Sequence, residues 1–123
     1  MISRRGLIKN CLASLVAVKV PTSAFSAKNV SRYRIVAQKS EHQFYEGANL
    51  SDLFLYNGSS PGPLIVEKKG NILEVEFLNL LDEPSSIHWH GIRNLNHMDG
   101  VPGLTQAPVE PGETFTYRFP LND

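Results

Sequence analysis

Cysteine is almost absent from this chain: the single one, Cys11, falls within the first 27 residues. The remainder can therefore form neither a disulfide nor a thiolate metal site. Acidic residues are missing from residues 1–27, where Arg4, Arg5, Lys9 and Lys19 stand alone. The formal charge of zero thus hides a basic leader and a body with 8 basic against 12 acidic residues. Such a body has no basic stripe, which argues against nucleic-acid binding. Long apolar runs are lacking too; the longest, from Cys11 to Val20, contains Lys19 and is too short for a membrane span. Beyond the leader no segment shows a helical period, and there are no repeats or low-complexity tracts. At 123 residues and 41% hydrophobic, the chain has the size and composition of one globular domain with a modest core.

The leader has a recognisable order. Ser3-Arg4-Arg5-Gly6-Leu7-Ile8-Lys9 precedes the apolar run, and small residues follow at Ala24, Ser26 and Ala27. This resembles a twin-arginine export signal over 1–27, with Leu7 and Ile8 in its apolar positions, and implies export of a folded protein to the bacterial periplasm. A basic amphipathic helix is the alternative. Cleavage after Ala24 and cleavage after Ser26 both fit. The residues before Cys11, Ile8-Lys9-Asn10, do not make a lipoprotein acceptor site.

The body, 28–123, reads as short strands between turns. Tyr33, Ile35 and Ala37 alternate with Arg34, Val36 and Gln38, and Leu53-Phe54-Leu55-Tyr56 forms a second apolar stretch. Asn57-Gly58 and Pro61-Gly62-Pro63 interrupt it, Leu64-Ile65-Val66 resumes extended structure, and Lys69-Gly70-Asn71 turns again. Leu73, Val75 and Phe77 face one way while Glu74 and Glu76 face the other, so that strand has a buried and a wet side. A further extended piece is expected over 85–90, a long Gly/Pro/Asn-rich loop over 91–113, and a last strand with Phe115, Tyr117 and Phe119 on one face. The class is all-β, a sandwich or barrel. Because the chain stops at Pro120-Leu121-Asn122-Asp123, directly after a strand, an unfinished sheet is expected, with edges prone to aggregation.

Within the 85–90 piece stand His88 and His90. Histidines one residue apart on extended backbone project to the same side, with α-carbons roughly 6.5–7 Å apart. They can share one metal ion or hold two neighbouring ions, and neutral imidazole suits copper, zinc and iron alike. Two polar residues on a solvent face would show the same tripeptide. If Trp89 anchors the core beside Ile87, both histidines point out of it.

The order Asn57-Gly58-Ser59-Ser60-Pro61-Gly62-Pro63, Gly70-Asn71, Ile87-His88-Trp89-His90-Gly91, Asp99-Gly100-Val101-Pro102, Thr105-Gln106 and Pro111-Gly112 resembles the first cupredoxin domain of a multicopper oxidase. The bacterial laccase-like and copper-resistance members are nearest, since they combine Met-Asp-Gly-Val-Pro-Gly with twin-arginine export. The resemblance implies a cupredoxin-like Greek-key β-sandwich, incomplete at its C-terminus. It also implies copper as cofactor, with His88 on type 2 copper and His90 on one type 3 copper of a trinuclear site that reduces dioxygen to water. Asp99 resembles the carboxylate near that cluster, where it would orient a ligand or relay protons, although an Asp before Gly is also an ordinary turn residue.

The same resemblance limits the chain. The family's second His-x-His of this domain is expected a few residues beyond Asp123, and its remaining histidine clusters and type 1 cysteine are not in this sequence. On this reading the chain is the N-terminal piece of an oxidase of metal ions or phenols, inactive alone, whose partners are the remaining oxidase domains, dioxygen and a reducing substrate. A small exported copper-binding module without catalytic activity is the alternative. A metal-free structural cupredoxin is disfavoured by the intact His-Trp-His-Gly, and a single-zinc hydrolase by the lack of a third ligand at suggestive spacing. His97 and Met98 read as surface loop residues, His42 as a surface residue, and Glu74 and Glu76 as solubilising.

Overall fold

The computed structural model describes residues 29–122, so the leader lies outside the described residues. Four strands form one sheet: β1 (Val30–His42), β2 (Ser51–Tyr56), β3 (Ile72–Asn79) and β4 (Thr114–Pro120). Their order is β2-β1-β3-β4, with β1 and β3 parallel and the two outer pairs antiparallel. A single short 3₁₀ turn, Asn96–Met98, is the only helical element among the described residues. The alternation read from the sequence is the one that folds. Register places Tyr33, Val75 and Tyr117 in one row across three strands, and Ile35, Phe77 and Phe115 in the next. Val75, Phe77 and Tyr117 are fully buried on that inner face, and Phe119 nearly so.

The opposite face carries an ion-pair row at the matching register. Glu74 accepts from Arg32 Nε at 2.8 Å and from Arg118 Nε at 3.0 Å, and Arg34 Nε lies 3.0 Å from Glu76. Glu74 and Glu76 are thus more than solubilising: they link β1, β3 and β4 from outside, each exposed pair contributing about 0–1 kcal/mol.

A parallel neighbour requires a crossing connection, and 57–71 makes it from β2 past β1 to β3. Asn57, at φ +52°, ends β2 by accepting the Val36 N–H on Oδ1 (2.7 Å). Within the crossing, 64–66 joins no strand among the described residues, and Leu64 and Val66 are exposed. Glu67 ties the crossing back to the sheet: Tyr33 Oη donates to it at 2.6 Å and Asn71 Nδ2 at 3.0 Å. The Tyr33 hydroxyl, then Asn71 and Ser31, hold the Glu67 carboxyl at about 2, against 4.5 for an ordinary Glu. A depressed carboxylate contributes stability above its unfolded value and loses it as pH falls through its folded value. The urea midpoint should therefore decline from pH 4.5 toward pH 2. Glu67→Gln should be the less stable protein at neutral pH and should show a shallower decline; an identical decline would remove Glu67 as the cause.

The second layer is irregular chain. Leu81, Ile87 and Val109, all buried, come from 80–113 and close over the inner face. The strand expected over 85–90 is reduced to one bridge, Ser85 to Val109, because polar groups beyond it are taken up by a side chain and a loop carbonyl instead of a neighbouring strand. Asn79, wholly buried at the end of β3, anchors this layer: Nδ2 donates to the Glu83 and Val109 carbonyls at 2.8 Å each, and Oδ1 accepts the Leu81 N–H at 3.0 Å.

Candidate metal centre

Chain 86–89 runs against 99–100, and a glycine permits the approach. Gly100 sits at φ +78°, and a Cβ built there would overlap the Ile87 carbonyl. Ser86 Oγ donates to the Gly100 carbonyl at 2.7 Å. One residue earlier, Asp99 follows the 3₁₀ turn in αR geometry, its N–H donating to Asn96 O at 3.2 Å. The Asp99 carbonyl is thereby aimed at His88, whose Nδ1 lies 2.8 Å from it.

That contact decides the tautomer. A carbonyl oxygen only accepts, so in the neutral ring Nδ1 carries the hydrogen and Nε2 keeps its lone pair as a metal donor. The Asp99 carboxylate lies 3.6 Å from the same Nδ1. Both groups occupy the position in which a ligating histidine's outer partners usually stand.

Alternation then sorts the neighbours. Ile87 is buried and Trp89 packs edge-on against Tyr117 and Phe119, at ring-centroid distances of 5.6 and 5.3 Å. His88 and His90 consequently leave the core on the exposed side, their rings 5.5 Å apart at 74°. The backbone N–H of Ile87 donates to Tyr117 Oη at 3.0 Å. Burial raises the Tyr117 hydroxyl pKa, and the Ile87 N–H partly opposes that.

The other sequence candidates lie apart from this pair. His97 is exposed on the 3₁₀ turn, and His42 ends β1 with its ring edge-on to Phe44 at 5.1 Å. Met98 is not the surface loop residue expected: it packs against the core, and its Sδ accepts the Arg118 N–H at 3.3 Å. Sequence reasoning passes over Ser86, Gly100 and Tyr117 as contributors; nothing in a strand pattern separates Tyr117 from its apolar neighbours Phe115 and Phe119.

No group of three or more His, Cys, Asp or Glu side chains able to hold a metal occurs among the described residues. Two imidazoles, one with its tautomer set, fit copper by donor type and leave further coordination positions open.

A family model described as "Multicopper oxidase" matches residues 37–123. The chain belongs to the multicopper oxidase family. It is 33% identical over 126 aligned positions to copper resistance protein A of Escherichia coli, a match covering 95% of this chain and 21% of that one. Laccase-1 of Cryptococcus neoformans var. grubii is 45% identical over 73 residues, 58% of this chain and 12% of that one. Among solved structures, a multi-copper oxidase from Pseudomonas thermotolerans superposes with a TM-score of 0.74 at 39% identity, over 79% of this chain and 24% of that one. The blue copper oxidase of Nitrosomonas europaea gives 0.73 at 31% identity, over 77% and 30%. The all-β fold is therefore that of a multicopper oxidase cupredoxin domain, and copper is the metal this family binds. The chain spans only 12% and 21% of the length of these two curated relatives.

Proposed function

We propose that this chain is the N-terminal cupredoxin domain, residues 28–123, of a copper-dependent oxidoreductase that couples one-electron oxidation of metal ions or phenols to reduction of dioxygen to water. The observation that carries the reading is the pair of exposed imidazoles on one side of 87–90, with His88 Nε2 left as a donor by the Nδ1 contact to Asp99. His88 would hold type 2 copper and His90 one type 3 copper of a trinuclear centre. Bound copper would supply the electron transfer between substrate and dioxygen. The protein's own share is orientation: the Asp99 carbonyl holds the Nδ1 proton, and the Asp99 carboxylate, 3.6 Å from Nδ1, is placed to steady that proton or exchange one with solvent.

The remaining ligands would come from the other oxidase domains, and the chain alone would be inactive. If so, the reading frame beyond Asp123 encodes another His-x-His within a few residues, and unrelated sequence there would remove the intact enzyme. The leader over 1–27 would direct the folded protein to the periplasm. A reporter fused behind it should be exported by the twin-arginine route, and retention in the cytoplasm would count against this. No helix among the described residues is long and apolar enough to cross a membrane.

One observation supports a second reading. The described residues bring two imidazoles together on one side of 87–90, which suits a small exported copper-binding module. Both readings require copper on His88 and His90. Isothermal titration with Cu(II) should show weaker binding for His88→Ala and His90→Ala than for the parent, by at least about tenfold each, on the scale of removing metal-site partners. Equal binding by all three would remove the second reading.

A further inference from the structure

Segment 86–90 carries both imidazoles yet belongs to no strand, so a sheet ladder does not set its position. Tyr117 grips it on both sides of His88. Its Oη accepts the N–H of Ile87, the residue before His88, at 3.0 Å, and its ring meets Trp89, the residue after, at 5.6 Å. The tyrosine itself is enclosed: it is fully buried on β4, with the Phe115 and Phe77 ring centroids at 4.7 and 6.5 Å. Downstream of this grip, His88 Nδ1 and the Trp89 N–H converge on the single Asp99 carbonyl, at 2.8 and 3.4 Å. A displacement of Ile87 would move both donors off that oxygen.

We propose that the Tyr117 hydroxyl is a positioning residue for His88: by holding the Ile87 N–H it places Nδ1 on the Asp99 carbonyl and presents Nε2 outward as the metal donor. This rests on reading His88 and His90 as copper ligands. Tyr117→Phe removes the oxygen and keeps the ring, leaving the Ile87 N–H without its acceptor.

The first test needs no metal. Nitrogen-15 NMR of the full chain, well above the ordinary imidazole pKa, should show His88 protonated at Nδ1 in the parent and as a tautomer mixture in Tyr117→Phe. The second is Cu(II) titration, in which Tyr117→Phe should bind about tenfold more weakly, the effect expected of an outer partner of a metal ligand. Tyr33→Phe is the control for lost stability alone, because its hydroxyl serves Glu67 in the crossing segment; it should change neither readout. An unchanged His88 tautomer in a folded Tyr117→Phe overturns the proposal. If the parent binds copper no better than His88→Ala, the reading of this chain as a copper-binding module fails, while the NMR result still judges Tyr117. Should Tyr117→Phe not fold, a fluorinated tyrosine at 117 weakens the acceptor without deleting it, and an unshifted tautomer there overturns the proposal equally.

Discussion

Gly100→Ala should cost about 3–5 kcal/mol, within the range reserved for severe steric and backbone effects and a large part of a domain's usual 5–15 kcal/mol. Two effects combine. The residue sits at φ +78°, where any L side chain costs about 1 kcal/mol. Steric overlap contributes more: the new methyl would occupy the Ile87 carbonyl, so 86–88 and 99–100 must separate. Their separation would break the Ser86 hydroxyl's bond to the Gly100 carbonyl and the His88 Nδ1 bond to Asp99. Gly112 provides the comparison, since its φ is +80° but nothing lies within 4 Å of a Cβ there. Gly112→Ala should cost only the left-handed backbone strain, about 1 kcal/mol. Urea unfolding of the two variants separates strain from collision; equal losses would show that the close approach of 87 and 100 contributes nothing.

Asn79→Ala should lose about 2–5 kcal/mol, because two of its three side-chain hydrogen bonds satisfy groups that water does not reach. The Val109 carbonyl and the Leu81 N–H are buried, and each buried group left unpaired costs about 1–3 kcal/mol. The third partner, the Glu83 carbonyl, lies on an exposed residue and can turn to water. Asn79→Asp distinguishes acceptor from donor. It keeps an oxygen for Leu81 but cannot donate to either carbonyl, and it buries a charge, so it should be at least as damaging at neutral pH. The backbone bonds of residue 79, from Gly112 N–H to its carbonyl and from its N–H to Glu113, persist in Asn79→Ala, so the loss should fall on the side-chain ties to 81, 83 and 109. Chemical denaturation with hydrogen exchange at Leu81 and Val109 reads this directly; a loss below about 1 kcal/mol would show that the layer holds without Asn79.

Much of the sheet is legible in the sequence because strand side chains alternate with a period of two, and the chain obeys that rule without conflict. Leu73, Val75 and Phe77 inward with Glu74 and Glu76 outward is both the written pattern and the folded one. The direction of the two histidines is legible for the same reason: Ile87 and Trp89 are apolar and go in, so His88 and His90 go out. Less is legible where partners are distant. The parallel pairing of β1 with β3, the unpaired 64–66 and the reduction of 85–90 to one bridge depend on which segments meet. Local preference does not specify that meeting. Met98 departs from expectation on the same ground: its loop composition reads as surface, but the backbone of β4 offers its sulfur an N–H.

By itself, the sequence determined residue chemistry and facing: an all-β body without thiolates, two imidazoles on one side of a segment, and the motif order of a multicopper oxidase domain. Only the tertiary structure decided what those imidazoles meet. The Nδ1 proton of His88 is assigned by the Asp99 carbonyl eleven residues away, and its backbone is held by a tyrosine thirty residues from Ile87. Such contacts join groups whose separation along the chain carries no period, so they exist only once the inner face has closed.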